Sequence, residues 1–120
     1  MAGSLNTQVR KAADDVAVID ISGELNGNGE DALMDAYTAA SNGQTKSIIL
    51  NFTDLEYMNS SGIGLLVTML IRVQRNKQQL MAYGLSDHYQ QIFELTRLNE
   101  AITIYDNEAS AVTAVANPVR

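Results

Sequence analysis

The chain has 120 residues, 46% of them apolar and 18% charged, which suits one globular domain with a single hydrophobic core and argues against disorder. A net charge of −6 sets aside sequence-independent nucleic-acid binding, since the one basic cluster, Arg72, Arg75 and Lys77, reads as a solvated helix face. With no cysteine and a single histidine, His88, the chain offers no disulfide, no thiolate nucleophile and no cysteine or histidine metal cluster.

Residues 1 to 6 read as a loose start. Thr7–Arg10 is predicted as a short edge strand, Lys11–Asp15 as a turn, and Val16–Ile21 as a strand rich in β-branched residues. The short connection makes these two an antiparallel hairpin. Gly23-Glu24-Leu25-Asn26-Gly27-Asn28-Gly29 is a break, with Asn28 expected to cap the next helix and Asp31 to complete an imitation capping box. Leu33, Ala36, Tyr37 and Ala40 recur with helical spacing, so residues 30–41 are predicted helical and Asn42-Gly43 ends the helix.

An apolar run at Ile48–Leu50, with Phe52 after it, predicts a buried strand over 47–52. Asn59-Ser60-Ser61-Gly62 then hands over to a helix over about 61–77, with hydroxyls at its N-terminus as candidate caps. In open α/β sheets this edge is where ligands and partners are met. Ile63, Leu66, Val67, Leu70 and Val73 make the stripe expected to lie on the sheet. Leu65 and Met69 then project toward Ser61, Thr68 and Arg72, and this apolar pair with a polar rim is expected to be a docking patch. Leu80–Tyr83 is the next strand. Ser86 caps a helix carrying Tyr89, Ile92, Phe93 and Thr96. Ile102–Tyr105 is a short strand, and a last helix over about 108–115 ends before Pro118.

The order is thus β-β-α-β-α-β-α-β-α. It predicts an α/β fold: one domain over 1–120, core about 7–116, with a mostly parallel sheet and an antiparallel N-terminal edge hairpin. The N-terminus lacks a basic start with an apolar stretch after it. The most apolar window, Ile63–Ile71, stops at Arg72, far short of a membrane span. A soluble cytoplasmic protein is expected.

Catalytic patterns are missing. Asn59-Ser60-Ser61-Gly62 lacks the first glycine of an esterase elbow, and nothing links His88 to Ser60 as a base. No lysine follows Gly62 or Gly64 as in a phosphate-binding loop. Asp54 and Glu56 read as a solvated loop. No catalytic residue, metal or cofactor is expected.

The run Leu55-Glu56-Tyr57-Met58-Asn59-Ser60-Ser61-Gly62-Ile63-Gly64 resembles the signature of bacterial single-domain anti-sigma factor antagonists of the STAS group (sulfate transporter and anti-sigma factor antagonist). Ile21–Asn26 resembles that family's strand ending in Gly-Glu-Leu/Ile-Asp, and Ile92–Leu98 resembles its Leu-Phe-Asp-Leu-Thr-Gly-Leu. The resemblance implies partner switching. Such proteins bind an anti-sigma factor that is also a serine kinase and so free the sigma factor. The kinase phosphorylates the serine at position 60, the modified protein lets go, and a serine phosphatase resets it. Ser60 is therefore the implied phosphoacceptor, with Ser61 a neighbouring cap or minor acceptor. Asn26, Asn59, Ser61, Gly62, Leu65, Met69 and Arg72 are the expected partner-binding residues. Nucleic acid, membrane and small-molecule substrate are not expected partners.

Three departures stand out. Asn59 and Asn26 replace acidic residues of the family pattern, and Arg97 replaces its glycine at a helix C-terminus. Loss of both charges favours an alternative with the same fold: a never-phosphorylated STAS subunit of a signalling scaffold or transporter complex. A small-molecule binding domain or enzyme would rest only on the glycine-rich turns.

Overall fold

The computed structural model describes residues 4–116. Residues 1–3 of the loose start expected over 1–6, and the stop before Pro118, lie outside them, while Leu5 and Asn6 of that start are strand. The elements are β1 (Leu5–Ala13), β2 (Val16–Leu25), α1 (Glu30–Ala40), β3 (Ser47–Met58), α2 (Ser60–Arg75), β4 (Gln79–Tyr83), α3 (Asp87–Leu95), β5 (Thr103–Tyr105) and α4 (Glu108–Ala116). Short 3-10 turns at Gly27–Gly29 and Leu98–Glu100 precede α1 and β5.

The sheet runs β1-β2-β3-β4-β5 in chain order. β1 pairs antiparallel with β2, and all later pairs are parallel. The predicted fold class and element order hold. α1, α2 and α3 lie on one face, where their apolar stripes close over Ala17, Ile19, Ile21, Ile48, Leu50, Phe52, Leu80 and Ala82. α4 lies alone on the other face, over Val16, Val18, Ile49 and Met81.

Three strands are longer than their hydrophobic alternation predicts. β1 begins at Leu5 rather than Thr7 and runs through residues read as turn. β2 continues to Leu25 and β3 to Met58. β4 accompanies β3 only as far as Asn51. Beyond it β3 keeps β2 as its one neighbour, and the β1-β2-β3 edge continues as an arm, with register shifts in β2–β3 between Asp20 and Ser22 and between Gly23 and Glu24. A strand with fewer neighbours buries fewer side chains, so Thr53, Asp54, Glu56 and Tyr57 are exposed and their polarity hid the strand.

The ends of this arm are pinned. Glu24 N–H donates to Ser4 O at 3.2 Å. Met58 N–H, with no β4 to receive it, donates to the buried Tyr89 hydroxyl of α3 at 2.9 Å. At the opposite pole, Ala114 and Val115 of α4 share a hollow with Lys46 and Lys77, which precede β3 and β4. Arg97, at the C-terminal end of α3, takes the left-handed conformation at φ 62° that a glycine would enter without a Cβ penalty.

On the back face Arg10 joins three elements. Its guanidinium donates to Asp20 at 2.6 and 2.8 Å and to Glu108 at 2.8 and 3.3 Å. Tyr83 O–H donates to Glu108 at 2.9 Å, and Asn51 Nδ2 donates to Asp20 at 2.8 Å. The pairs with Arg10 hold both carboxyls below the usual carboxylate range, while burial beside Glu108 pushes the Tyr83 phenol up to about 12.

Candidate functional site

Asn59 breaks from the arm with extended backbone, and its carboxamide oxygen accepts from Gly62 N at 2.9 Å. It is therefore the N-cap of α2, the role expected of the serine hydroxyls. Ser60 and Ser61 occupy the first helical turn and are both exposed. Free first-turn N–H groups and the positive end of the helix dipole lie beside them.

Gly62 explains how close this turn sits to the sheet. A Cβ built on it would collide with the carbonyl of Leu25 at the end of β2. Asn59 N–H donates to the same carbonyl at 3.2 Å. The ends of β2 and β3 thus meet the helix directly. The loop after β2 faces the serines: a methyl on Gly27 would lie 3.4 Å from Ser61 Cβ and 3.8 Å from its Oγ. Asn26 leaves β2 extended and accepts from Asn28 N at 2.9 Å, so Asn26, not Asn28, shapes the turn into α1. Gly29 is the N-cap of α1 and has no side-chain bond.

The rotation of α2 differs from expectation. Leu65 is 9% exposed and Met69 0%, both packed in the main core with Leu66, Leu70 and Val73. They are not an exposed docking pair. The outward face instead carries Val67, 38% exposed, and Ile71, 50% exposed. Ser60, Gly64, Val67 and Ile71 are spaced four, three and four residues apart, so they share one stripe along the helix. Arg72 and Arg75 are exposed in its last turn, and Lys77 follows. The structure thus brings Asn26, Asn59, Ser60, Ser61 and Gly62 together at one end of α2, leaves Arg72 exposed near the other, and buries Leu65 and Met69.

Two features escaped the sequence. The hydroxyl of Tyr89 fixes the residue before the cap. Val67 and Ile71, exposed apolar residues on the serine stripe, were hidden by a run in which nearly every residue is apolar. His88 is exposed, its ring 5.0 Å from that of Tyr89. Among the described residues no group of three or more His, Asp or Glu side chains could hold a metal. Among them, too, no helix is long and apolar enough to cross a membrane.

The sequence profile described as STAS domain matches residues 7–111. The chain belongs to the STAS domain family. An anti-sigma-B factor antagonist of Staphylococcus aureus (strain NCTC 8325 / PS 47) is 30% identical to this STAS domain over 94 residues, 78% of this chain and 85% of the relative. The unphosphorylated anti-sigma factor antagonist SpoIIAA superposes with a TM-score of 0.77 at 23% identity, over 96% of this chain and 100% of that one. The Bacillus cell fate determinant SpoIIAA in its phosphorylated form gives a TM-score of 0.71 at 22% identity, over 92% and 99% of the two chains. These two likenesses are of fold. They match the STAS domain described above in its single mixed sheet and helical layer.

Proposed function

We propose that this STAS domain is an anti-sigma factor antagonist, a binding regulator rather than an enzyme, working in the cytoplasm. It docks on an anti-sigma factor that is also a serine kinase. Phosphorylation of Ser60 ends that contact, and a serine phosphatase restores it. The observation that carries this reading is the exposed Ser60 in the first turn of α2, heading a stripe that continues through Val67 and Ile71. The antagonist relatives and the phosphorylated SpoIIAA structure support it.

The physics is that of a local charge. A phosphoserine carries about −1.5 to −2 charges at neutral pH. In the free protein the helix N-terminus accommodates them. Inside an apolar contact the same group must be desolvated, so the modification weakens the complex more than the fold. A 100-fold discrimination needs about 2.7 kcal/mol of differential binding.

The test is titration calorimetry against the partner kinase, with phosphosite mapping after incubation with ATP. Ser60→Ala should bind as the parent does and resist phosphorylation. Ser60→Glu should bind about tenfold or more weakly, a difference of about 1.4 kcal/mol. Equal binding by the parent and the Glu variant would defeat the reading. The neutral side chains of Asn26 and Asn59 favour a second one, an unphosphorylated STAS subunit of a scaffold or transporter complex. Pull-down from native cells separates the two by recovering a kinase or a transporter component.

A further inference from the structure

Three asparagines of the chain precede glycine: Asn26–Gly27, Asn28–Gly29 and Asn42–Gly43. In such pairs the backbone nitrogen after the asparagine can attack its side-chain carbonyl carbon, because glycine places no side chain in the way. The attack needs that nitrogen accessible and uncommitted to a hydrogen bond.

The fold sorts the three. Gly29 is buried, and its N–H donates to Asn26 O at 3.0 Å, which withholds it from Asn28. The Asn42 carboxamide oxygen is held by Gln44 N at 2.8 Å and by Thr45 N and Oγ1, each at 3.2 Å, and the buried Thr45 hydroxyl is itself anchored on Ala40 O. Gly27 and Gly43 are both exposed, and neither N–H donates to an acceptor among the described residues, so these two pairs are separated by how firmly each carboxamide is held. The Asn26 carboxamide oxygen accepts a single bond, from Asn28 N at 2.9 Å, so its side chain is held by one contact where that of Asn42 is held by three and turns more freely toward the attacking nitrogen.

We propose that Asn26 is a site of spontaneous deamidation that ages the rim beside the serines. The Gly27 nitrogen bonds to the Asn26 side-chain carbonyl carbon and gives up its proton, the bond from that carbon to Nδ2 breaks, and ammonia leaves. Water then opens the five-membered imide at either carbonyl, leaving aspartate or isoaspartate. No electrons change hands, and the only co-reactant is water. The product is a new carboxylate at position 26, in the loop whose Gly27 faces Ser61 across ordinary contact distance. A fixed negative charge arises there without a kinase. Its effect on partner exchange rests on the reading of Ser60 given above.

The experiment contains neither partner nor phosphate, so it stands or falls apart from that reading. The full chain, unphosphorylated, is held in mildly alkaline buffer, and its peptides are mapped over time, with isoaspartate detected by enzymatic methylation. Conversion at position 26 should lead positions 28 and 42 by severalfold. Gly27→Ala should slow position 26 and leave the other two unchanged; its methyl meets Ser61 at an ordinary distance, so the fold should persist. Conversion first at 28 or 42, no conversion at 26, or an unchanged rate at 26 in Gly27→Ala would overturn the proposal.

Discussion

Asn59 does two jobs that pull in different directions. Its carboxamide oxygen caps α2 through Gly62 N, a role a carboxylate fills as well. It leaves the helix N-terminus neutral where an aspartate would add a favourable charge. Asn59→Ala should lower unfolding stability by about 1 kcal/mol. Asn59→Asp should keep the cap and add a few tenths of a kcal/mol that salt removes, about 0.3–1 kcal/mol at low ionic strength. Urea unfolding of both variants at low and high salt measures this. A drop in stability for Asn59→Asp would mean that the amide nitrogen, not the oxygen, matters. The site was legible at this scale because Asn, Ser, Ser and Gly after an apolar strand already mark a helix start. Which of them caps was not, since four polar or small residues in a row can each take the place. The steric demand of the Leu25 carbonyl on Gly62 decides it, and that demand lies on another strand.

The same close approach sets the rotation of α2. Between Ile63 and Ile71 only Gly64 and Thr68 are not apolar, so two overlapping stripes satisfy helical periodicity equally well. One buries Ile63 and Val67; the other buries Leu65 and Met69. Gly62 against Leu25 selects the second, turning the helix by most of one residue step. The two faces should therefore answer differently to substitution. Met69→Ala should cost about 3 kcal/mol by opening a cavity in the core. Ile71→Glu should change stability by no more than about 0.5 kcal/mol while weakening partner binding. Chemical denaturation paired with binding isotherms checks both halves, and a destabilised but fully binding Ile71→Glu protein would contradict the assignment of faces. The strand elements were legible where both sheet faces are covered, at Val16–Ile21 and Ile48–Phe52. They were not legible in the arm, where Asp54, Glu56 and Tyr57 follow solvent rather than a core.

For the whole molecule, the attachment of α4 runs through Arg10, Asp20, Glu108 and Tyr83, four residues from four elements. No sequence pattern links positions so far apart, and none of this network was foreseen. The Asp20 and Glu108 carboxyls titrate lower in the folded chain than in the unfolded one. Their contribution is therefore complete above the ordinary carboxylate range, about pH 4, and is lost as the pH falls through the folded values. Tyr83 has the opposite sign: its raised value favours the protonated phenol, so its contribution is complete below about pH 10 and fades as the pH climbs toward 12. Urea midpoints should be flat near neutrality and fall on both sides. The side chains of Arg10, Asp20 and Glu108 are 37%, 28% and 34% exposed, so water screens the pairs. Arg10→Met should accordingly cost only about 1 kcal/mol at neutral pH and flatten the acid limb. An acid limb as steep as the parent's would rule the network out as its source.

The strand arm that is tied to Ser4 at one end of the sheet, and the last helix, whose Ala114 and Val115 lie beside Lys46 and Lys77 at the other, put the first and last of the described residues at opposite poles. A fluorescent protein or affinity handle fused ahead of Ser4 would sit near the Ser60 end of α2, the partner surface proposed above. The same fusion carried after α4 would hang clear of it. Interaction screens that use only the first orientation would thus record shielding as lack of affinity.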